Sequence, residues 1–421
     1  MERSASRNAS LHPDTLKTVL AFVLAGGKGE RLYPLTKDRS KPAVPFGGTY
    51  RIIDFTLSNC VNSGLKRICV LTQYKAHSLM RHVKEGWHLF ASELGEFIYT
   101  IPPQLRVGST WYLGTADAIY QNVYTLEEER PEHTLILSGD HIYRMDYRDM
   151  FAEHLAREAD VTIAVLEVPA REASRFGVLE LGPNREVIGF REKPQDLDPE
   201  GPSVVANMGV YLFRTDVLVQ SVCRDARRDD THHDFGHDVL PGLVRAGARV
   251  QAHVFRGAGA SPTPFWMDIG TLDAYFDASM DLISVSPQFT LYDRVWPIRS
   301  AAIQAPPAKF VFAGGEKGRI GEAHDSLVSP GCIVSGGHVE RSILGPGCRI
   351  NSWSVVEDAI LMDGVEVGRH AVVKRAIIDK GVRIPQGFQV GVDPEADRRR
   401  FTVTERGLVA IPKGENLEGL A

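Results

Sequence analysis

The stretch LAGGKGERLYPLTKDRSKP, residues 24–42, decides the fold because it joins a short apolar run to a loop rich in glycine and basic residues. The run Val19–Ala25 predicts a buried parallel strand. Arg31 and Lys41 would bring positive charge to the loop that follows. Glycines that let this loop turn sharply and approach phosphate oxygens are Gly26, Gly27 and Gly29. The spacing fits neither GxxxxGK[ST] nor GxGxxG, but the combination predicts a nucleoside triphosphate site rather than a plain surface turn.

Length and composition limit the classes of protein to which the chain can belong. A chain of 421 residues with a net charge of −5 is expected to hold more than one domain and to bind no nucleic acid. No apolar run reaches the roughly 18 residues of a membrane span, so we expect a soluble, cytoplasmic protein. The cysteines are odd in number and lack a CxxC spacing, which predicts reduced core thiols and no metal cluster. They are Cys60, Cys69, Cys223, Cys332 and Cys348.

Short apolar strands alternate with amphipathic helices over residues 19–284, which predicts an α/β domain with a mostly parallel sheet. Ligands of such sheets bind beyond the carboxyl ends of the strands. Residues 1–18 read as an N-terminal tail. Residues 285–325 contain several prolines and no regular pattern, so we interpret them as a linker.

A repeat occupies residues 326–421, which we interpret as a β-helix domain with a C-terminal tail. Four segments align, SLVSPGCIVSGGHVER, SILGPGCRINSWSVVED, AILMDGVEVGRHAVVKR and AIIDKGVRIPQGFQVG. Their glycines recur every 16 or 17 residues at Gly331, Gly347, Gly364 and Gly381. Aliphatic residues at hexapeptide spacing favour a β-helix of four coils over the alternative, a meandering β-sandwich.

Two carboxylates stand in apolar surroundings and are candidate metal ligands. Asp140 follows the strand in TLILSGDHIYRMDY, and Asp268 lies in FWMDIGT. Together they could hold Mg²⁺ against phosphate oxygens, although either one alone is more often a turn or helix-cap residue. Asp146 fits the cap role better.

Further polar residues suit a phosphate, a sugar and a base. Glu192 and Lys193 stand at the end of a predicted hairpin strand before a proline, where the lysine could bind a compact phosphate. Gln73 suits contacts with the edge of a base and Tyr112 suits stacking. An exposed lysine and a core tyrosine are the ordinary alternatives, between which the sequence does not decide.

Over nearly its whole length the chain resembles the bacterial glucose-1-phosphate adenylyltransferases, the ADP-glucose pyrophosphorylase family. The glycine loop and FREKP are shared by sugar nucleotidyltransferases in general, whereas the longer motifs are particular to this family. The matching motifs are LAGGKGERL, KPAVPFGGTYRIIDFTLSN, TQYKAHSL, WYLGTADA, SGDHIYRMDY, FREKP, NMGVYLF, DFGHD and FWMDIGT.

The resemblance implies a nucleotide-binding, Rossmann-like catalytic domain, a left-handed parallel β-helix, a homotetramer, Mg²⁺ dependence and allosteric control. It implies transfer of the adenylyl group of ATP to glucose 1-phosphate, giving ADP-glucose for glycogen synthesis. The catalytic residues would be Arg31, Lys41 and Asp140. Metal ligands would be Asp140 and Asp268. Substrate-binding residues would be Glu192, Lys193, Asn207, Gly209, Asp234 and Trp266. Nucleotide-binding residues would be Leu24, Ala25, Gly26, Gly27, Gly29, Gln73, Tyr112, Gly114 and Asp140.

Three alternative functions remain open. A β-helix acyltransferase needs a longer solenoid and a basic histidine, against which the four predicted coils and the presence of only His338 and His370 argue. A non-catalytic regulatory subunit is disfavoured by the retention of Arg31, Lys41, Asp140, Lys193 and Asp268. A uridylyl- or guanylyltransferase is separable by assay with four nucleoside triphosphates.

Departures from the family pattern predict which metabolites regulate the chain. Relatives activated by fructose 1,6-bisphosphate carry a lysine at the position of Asp38, a histidine at that of Pro45, an arginine at that of Lys380 and a basic C-terminus. The remaining cations, Arg39, Arg51 and Lys380, would suit fructose 6-phosphate or pyruvate as activators. AMP, ADP or phosphate would be inhibitors.

Overall fold

The computed structural model describes residues 13–104, 111–258, 264–314 and 319–419. Most of the predicted N-terminal tail, residues 1–12, lies outside the described residues. Its last part, Pro13–Thr18, forms a 3₁₀ helix that leads into the first strand. In the described residues no helix is long and apolar enough to cross a membrane.

The first part of the chain alternates strands and helices. Its strands are β1 (Val19–Ala25), β2 (Pro45–Phe46), β3 (Tyr50–Arg51), β4 (Arg67–Thr72), β5 (Phe97–Ile101), β6 (His133–Ser138), β7 (His141–Tyr143), β8 (Val161–Val168), β9 (Gly177–Leu181), β10 (Val187–Glu192), β11 (Val204–Arg214), β12 (Val250–Val254) and β13 (Trp266–Asp268). Its helices are α1 (Ile52–Asn62), α2 (His77–Gly86), α3 (Thr115–Tyr120), α4 (Val123–Glu129), α5 (Tyr147–Ala156), α6 (Thr215–Asp225), α7 (Leu240–Arg245) and α8 (Leu272–Asp281).

The main sheet has the predicted mostly parallel core. Its strand order is β10-β9-β11-β6-β1-β4-β5. In addition, β8 pairs with β11, and β12 pairs with β8. Strand β1 pairs in parallel with both β4 and β6, whereas β11 runs antiparallel to its neighbours. The chain leaves β1 toward β4 on one side and returns to β6 on the other. This change of direction opens a crevice at the carboxyl ends of β1 and β6.

Apolar residues on both faces explain why β1 is buried. Its sequence VLAFVLA places Ala21 and Val23 in one core cluster, whereas Leu20 and Phe22 pack in the cluster on the opposite face. A strand covered on both faces carries a continuous apolar run rather than an alternating one. The run that flagged the strand in the sequence is therefore a consequence of its central position.

The second part of the chain is a parallel β-helix, as predicted. Its strands are β14 (Lys309–Val311), β15 (Glu322–His324), β16 (Leu327–Val328), β17 (Ile333–Ser335), β18 (His338–Glu340), β19 (Ile343–Leu344), β20 (Arg349–Ile350), β21 (Val355–Leu361), β22 (Glu366–Val367), β23 (Val372–Ile378), β24 (Arg383–Ile384), β25 (Gln389–Val390), β26 (Thr402–Val403) and β27 (Val409–Ile411). One helix, α9 (Pro394–Arg400), interrupts the last coil. Its strands stack in register on those of the preceding coils, and an aliphatic core fills the interior.

The recurring glycines have a backbone reason. Their φ values are 79° at Gly331, 71° at Gly347, 69° at Gly364 and 69° at Gly381. Each coil therefore turns through a left-handed conformation that L side chains rarely adopt. The glycine phase seen in the sequence marks one repeated corner of the solenoid.

The predicted linker and coil number need correction. Strands β14 and β15 lie inside residues 285–325, yet they pair with β17 and β18 of the β-helix. The described residues thus form five stacked coils, not four, because the first coil starts near Lys309. Its period is hidden by the long excursion between β14 and β15, part of which, residues 315–318, lies outside the described residues. Residues 285–308 carry no strand or helix.

The two parts of the chain share an apolar interface. One buried cluster includes Leu35 and Phe46 from the α/β part and Ile360 and Ile377 from the β-helix. Ion pairs cross the same junction, where Arg39 donates both hydrogen bonds of one guanidinium nitrogen to Asp379 at 2.8 and 2.9 Å. The β-helix therefore packs directly against the α/β part.

Candidate active site

A cavity of about 660 Å³ opens at the predicted crevice, beyond the carboxyl ends of β1, β4 and β6. All nine predicted nucleotide-binding residues line it. The predicted residues on its wall are Leu24, Ala25, Gly26, Gly27, Gly29, Arg31, Lys41, Gln73, Tyr112, Gly114, Asp140 and Asp234.

Two glycines of the loop, Gly26 and Gly29, pack closely on neighbouring residues of the cavity wall. A Cβ on Gly29, whose φ is 64°, would lie 2.9 Å from the Cβ of Lys41. A Cβ on Gly26 would lie 3.0 Å from the Cβ of Gln73. The loop therefore needs glycine both for its conformation and for its close packing on Lys41 and Gln73.

A lysine and two aspartates meet at the floor of the cavity. The Nζ atom of Lys41 lies 2.8 Å from Asp140 Oδ2 and 2.7 Å from Asp268 Oδ1. Asp140 follows β6, whereas Asp268 arrives on β13, which pairs with β7 so that Asp268 stands opposite His141. The structure thus brings Lys41, a predicted phosphate ligand, into contact with Asp140 and Asp268, the two predicted metal ligands.

Burial and charge act against each other in this cluster. Burial alone would lower the pKa of Lys41, but the charges of Asp140 and Asp268 outweigh it and raise the pKa. Burial would likewise raise the pKa of Asp140, yet Lys41 and His141 hold that pKa well below its ordinary value. The shifted pKa values of Lys41 and Asp140 therefore keep these two groups oppositely charged at neutral pH.

Sequence reasoning missed two residues of this cluster. His141 has its Nε2 atom 3.6 Å from Asp140 Oδ1, and burial lowers its pKa. Its Nδ1 atom is buried and has no hydrogen-bond partner among the described residues. Ser138 donates a short hydrogen bond to Asp140 Oδ1. Both lie in the quoted SGDHIY segment, but only the pairing of β13 with β7 reveals what surrounds them.

Arg31 lies at the mouth of the cavity and is exposed. Its guanidinium passes beside Gly270, where an added Cβ would lie 3.3 Å from Arg31 Nη2 and 3.1 Å from Asp268 Oδ2. Arg31 therefore stands next to the aspartate pair, in a position where a bound polyanion could contact it.

Gln73 and Tyr112 hold each other. The Tyr112 backbone N–H donates to Gln73 Oε1 at 2.9 Å, and Gln73 Nε2 donates to the Tyr112 carbonyl at 3.3 Å. We predicted that Gln73 reads a base edge, but its amide is engaged with this backbone. Gly114 follows in a tight passage, since an added Cβ would lie 2.3 Å from the His233 carbonyl oxygen.

The predicted sugar residues form a second group beside the cavity. Lys193 follows β10, at the end of the hairpin formed by β9 and β10, and its Nζ lies 2.9 Å from Glu192 Oε1. Glu192 in turn lies close to Asp234, because an added Cβ on Gly236 would approach both carboxylates, at 2.5 and 3.3 Å. Asp234 itself accepts hydrogen bonds from Thr115 and from the N–H groups that begin the π-helical turn Phe235–Val239.

The remaining sugar residues lie on β11 and β13. Gly209 has a φ of 71° and donates its N–H to Asn207 Oδ1 at 2.9 Å. The ring of Trp266 packs edge-on against His141 with centroids 4.8 Å apart. The Trp266 Nε1 donor is buried and has no partner among the described residues. This wall therefore retains a donor for a ligand that enters the site.

The predicted effector residues converge on the junction with the β-helix, but each has a protein partner. Lys380 Nζ lies 2.6 Å from Asp363 Oδ2, and Arg51 donates to Ser78. Burial lowers the pKa values of both cations, and the charge of Asp363 only partly opposes this shift. Arg39 forms a buried ion pair with Asp379, and the two side chains are 5% and 2% exposed.

The helix-cap prediction at the neighbouring Asp146 is confirmed. This residue is the N-cap of α5, where its side chain accepts a hydrogen bond from the Arg148 N–H at 3.0 Å.

Comparisons with known proteins cover nearly the whole chain. The nucleotidyl transferase family matches residues 20–285, and the GlmU-like C-terminal hexapeptide family matches residues 306–411. The glucose-1-phosphate adenylyltransferase of Koribacter versatilis is 51% identical over 403 residues, which are 94% of this chain and 96% of that protein. Its namesakes from Rhodopirellula baltica and Methylobacillus flagellatus are 50% and 46% identical, over 96% and 99% of this chain and 92% and 98% of theirs.

Proposed function

The chain belongs to the glucose-1-phosphate adenylyltransferase family, and from that premise we propose that it transfers the adenylyl group of ATP to α-D-glucose 1-phosphate. The products are ADP-glucose and pyrophosphate. The observation that carries the proposal is the meeting of Lys41 with Asp140 and Asp268 at the carboxyl edge of the sheet, directly below the glycine loop.

The donor set of this cluster fits Mg²⁺. Asp140 after β6 and Asp268 on β13 offer carboxylate oxygens, and hard cations of this size prefer a few carboxylates together with phosphate oxygens and water. When bound, Mg²⁺ would neutralise charge on the triphosphate and on the departing pyrophosphate. Asp140 and Asp268 would hold it, and Ser138 would fix the orientation of the Asp140 carboxylate by its hydrogen bond.

The protein's own residues act by position and charge. Lys41 would bind the β- and γ-phosphates together with Arg31. A sugar phosphate oxygen attacks the α-phosphorus in line with the leaving group. No general base is needed, because the second pKa of a phosphate monoester is about 6 and the nucleophile is already ionised. The chain therefore brings two polyanions together rather than supplying a nucleophile.

Lys193 would receive the phosphate of glucose 1-phosphate, and the neighbouring wall would receive its sugar. Lys193 is half exposed and forms an ion pair with Glu192, so its ammonium group can bind a phosphate in place of the glutamate. The Glu192 carboxylate would then be free to accept a hydrogen bond from a sugar hydroxyl. The unpartnered Nε1 of Trp266 is a donor for another hydroxyl. Asn207, Gly209 and Asp234 would shape this wall, while Gln73, Tyr112 and Gly114 would line the nucleotide.

We further propose that the enzyme works in the cytoplasm as a homotetramer that feeds glycogen synthesis and responds to metabolites. Effectors would bind at the junction of Arg39, Arg51 and Lys380. An anion that enters there would compete with the partly exposed Asp363 for Lys380, whose side chain is mostly buried, whereas the buried Arg39–Asp379 pair would stay intact. Fructose 6-phosphate or pyruvate would activate, and AMP, ADP or phosphate would inhibit.

One assay tests the reaction. Purified enzyme is offered ATP, UTP, GTP and CTP in turn, each with glucose 1-phosphate and with other sugar phosphates, and pyrophosphate release is measured with Mg²⁺. We expect turnover with ATP and glucose 1-phosphate to exceed every other pair by at least about 100-fold. A preference for UTP or GTP would assign another nucleotidyltransferase activity, and no turnover with any pair would favour a regulatory subunit.

A further inference from the structure

The outer face of the β-helix holds a cluster of imidazoles and carboxylates remote from the cavity. Strands β15 and β18 pair in parallel with Glu322 opposite His338 and His324 opposite Glu340. Ala323 and Val339, which alternate with them, point to the apolar interior. Because alternate residues of a strand share a face, the four polar side chains form a two-by-two array outside the first two coils.

The distances within the array are those of a ligand set. Glu322 Oε1 lies 2.9 Å from His338 Nδ1, and Glu322 Oε2 lies 3.1 Å from His324 Nε2. Ligand atoms of Glu322, His324 and His338 all lie within 4.8 Å of one another. Tetrahedral coordination with bonds of about 2.0–2.1 Å gives edges of about 3.3–3.4 Å, so small side-chain rotations suffice.

The second ring nitrogen of His338 has a carboxylate of its own. His338 Nε2 lies 3.5 Å from Glu340 Oε2. A histidine that binds a metal through one nitrogen commonly donates its other N–H to a carboxylate, which fixes the ring. Glu340 is in turn held by Arg341 from the following corner. His338 is thus oriented by a carboxylate on the side away from Glu322.

The rest of the same face is neutralised differently. In the third coil Glu357 pairs with Lys374 at 2.6 Å and with Arg341 at 3.1 Å. Within the described part of the chain, the ion pairs of Glu322 are made to imidazoles alone. Glu322 in the first coil is therefore paired with two imidazoles, whereas Glu357 in the third coil is paired with a lysine and an arginine.

We propose that Glu322, His324 and His338 form a site for a borderline-soft divalent transition ion such as Zn²⁺, with a fourth position open to solvent. Two imidazoles and one carboxylate suit Zn²⁺ and exclude Mg²⁺, which prefers an all-oxygen octahedron. The ion links coil one to coil two. Because a terminal coil has a neighbour on one side only, this link stabilises the end of the solenoid from which residues 285–308 run to the α/β part.

The test must separate this site from the cleft, where Asp140, His141 and Asp268 also form a potential cation cluster. Zn²⁺ bound per full-length chain is therefore measured by equilibrium dialysis in the double variant Asp140→Asn/Asp268→Asn. We expect one equivalent to remain. Adding His324→Gln or His338→Gln should weaken its binding by at least about 10-fold. Adding Glu322→Gln provides a third, independent variant.

A matched control is His370→Gln, because His370 lies on the same solenoid but stacks on Trp353. Zn²⁺ binding should be unchanged in that variant, and Mg²⁺ at the same concentration should not displace Zn²⁺. With intact cleft residues, His338→Gln should leave turnover with saturating Mg²⁺ unchanged. The proposal is overturned if the cleft double variant binds no Zn²⁺, or if all three ligand variants bind Zn²⁺ as His370→Gln does.

Discussion

The α/β part and the β-helix treat buried polar groups in opposite ways. Every buried side-chain nitrogen or oxygen without a hydrogen-bond partner in the described residues belongs to the α/β part. These residues are Ser40, Thr72, Gln121, His133, His141, Arg144, His154, Gln251 and Trp266. In the described coils, buried hydroxyls are satisfied, as in Ser342 and Ser352, which donate to backbone carbonyls at 2.7 and 2.8 Å.

This difference separates a scaffold from a site. A solenoid repeats the same backbone and side-chain arrangement, so the polar groups of each coil find the same hydrogen-bond partners in the neighbouring coils. The α/β part keeps unpaired capacity, and two of its unpaired groups, His141 and Trp266, pack against each other beside Asp140 and Asp268. Unsatisfied buried groups cost stability unless a ligand pairs with them. Substitutions in the cleft should therefore affect turnover, and substitutions at the junction should affect folding.

The largest expected effect is that of Asp140→Asn in the cleft. Turnover should fall by about three orders of magnitude, because the substitution removes the charge that we propose holds the metal and that pairs with Lys41. The thermal midpoint should fall only modestly, because Lys41 keeps its ion pair with Asp268. Initial rates at saturating Mg²⁺ and thermal unfolding measure the two quantities.

The matched control is Asp146→Asn, which makes the same chemical change at the cap of α5. Asparagine caps a helix about as well as aspartate, so neither turnover nor stability should change. Equal turnover of Asp140→Asn and the wild type would remove Asp140 from the mechanism.

The junction should show the reverse pattern in Asp379→Asn. Removing one partner of the buried Arg39–Asp379 pair leaves an uncompensated guanidinium, so unfolding free energy should fall by about 3–5 kcal/mol. Asp363→Asn is the control, because its pair with Lys380 is partly exposed and worth no more than about 1 kcal/mol. Denaturant titrations compare them, and equal losses would refute the distinction.

Acid should destabilise the α/β part through a buried histidine. Burial, with His133 nearby, lowers the pKa of His154 from 6.5 to about 3, although Asp160 opposes the shift. Below pH 6.5 the unfolded chain binds a proton that the folded chain does not, so stability falls as pH decreases from 6.5 toward 3. The slope from this group is at most about 1.4 kcal/mol per pH unit.

Unfolding measured between pH 7 and pH 5 tests this effect. His154→Gln should flatten the dependence, whereas substitution of the exposed His88 by glutamine should leave the slope unaltered. A slope that is identical in the wild type and in His154→Gln would show that other groups dominate.

Lys193→Gln should affect one substrate only. The KM for glucose 1-phosphate should rise by about 10- to 100-fold with little change in the KM for ATP, because the lysine is proposed to meet the sugar phosphate alone. Arg191→Gln, on the same hairpin strand and paired with Asp196, is the control. Parallel losses for both substrates in Lys193→Gln would place the lysine elsewhere in the mechanism.

The sequence predicted what is local. The strand before the glycine loop, the hairpin that ends at Glu192 and the glycine corners of the solenoid all follow from short patterns. It did not predict that Trp266–Asp268 pairs with β7, since an antiparallel bridge between distant segments leaves no periodic signal. That bridge is what places His141 in the site.

The wrong prediction of the linker has a similar cause. The first coil was read as a linker because an excursion separates Lys309–Val311 from Glu322–His324 and breaks the period. Gln73 stays a predicted nucleotide residue, but the sequence could not show that its amide is held by the backbone of Tyr112, which lies far along the chain. Residue type indicates what a side chain can bind, whereas the fold decides what is near it.

The smallest expected effect lies in effector choice at the junction, where repulsion changes affinity rather than abolishing it. Asp38 is exposed and precedes Arg39 in the chain. Lys380 is already paired with Asp363, and Arg39 with Asp379. A doubly phosphorylated sugar would therefore meet additional negative charge at the junction. A coupling difference of about 1–3 kcal/mol corresponds to roughly 5- to 150-fold in affinity. Fructose 6-phosphate or pyruvate should therefore activate at lower concentration than fructose 1,6-bisphosphate in initial-rate titrations. Asp38→Lys should narrow the gap for the bisphosphate, and the idea fails if the bisphosphate activates the wild type best.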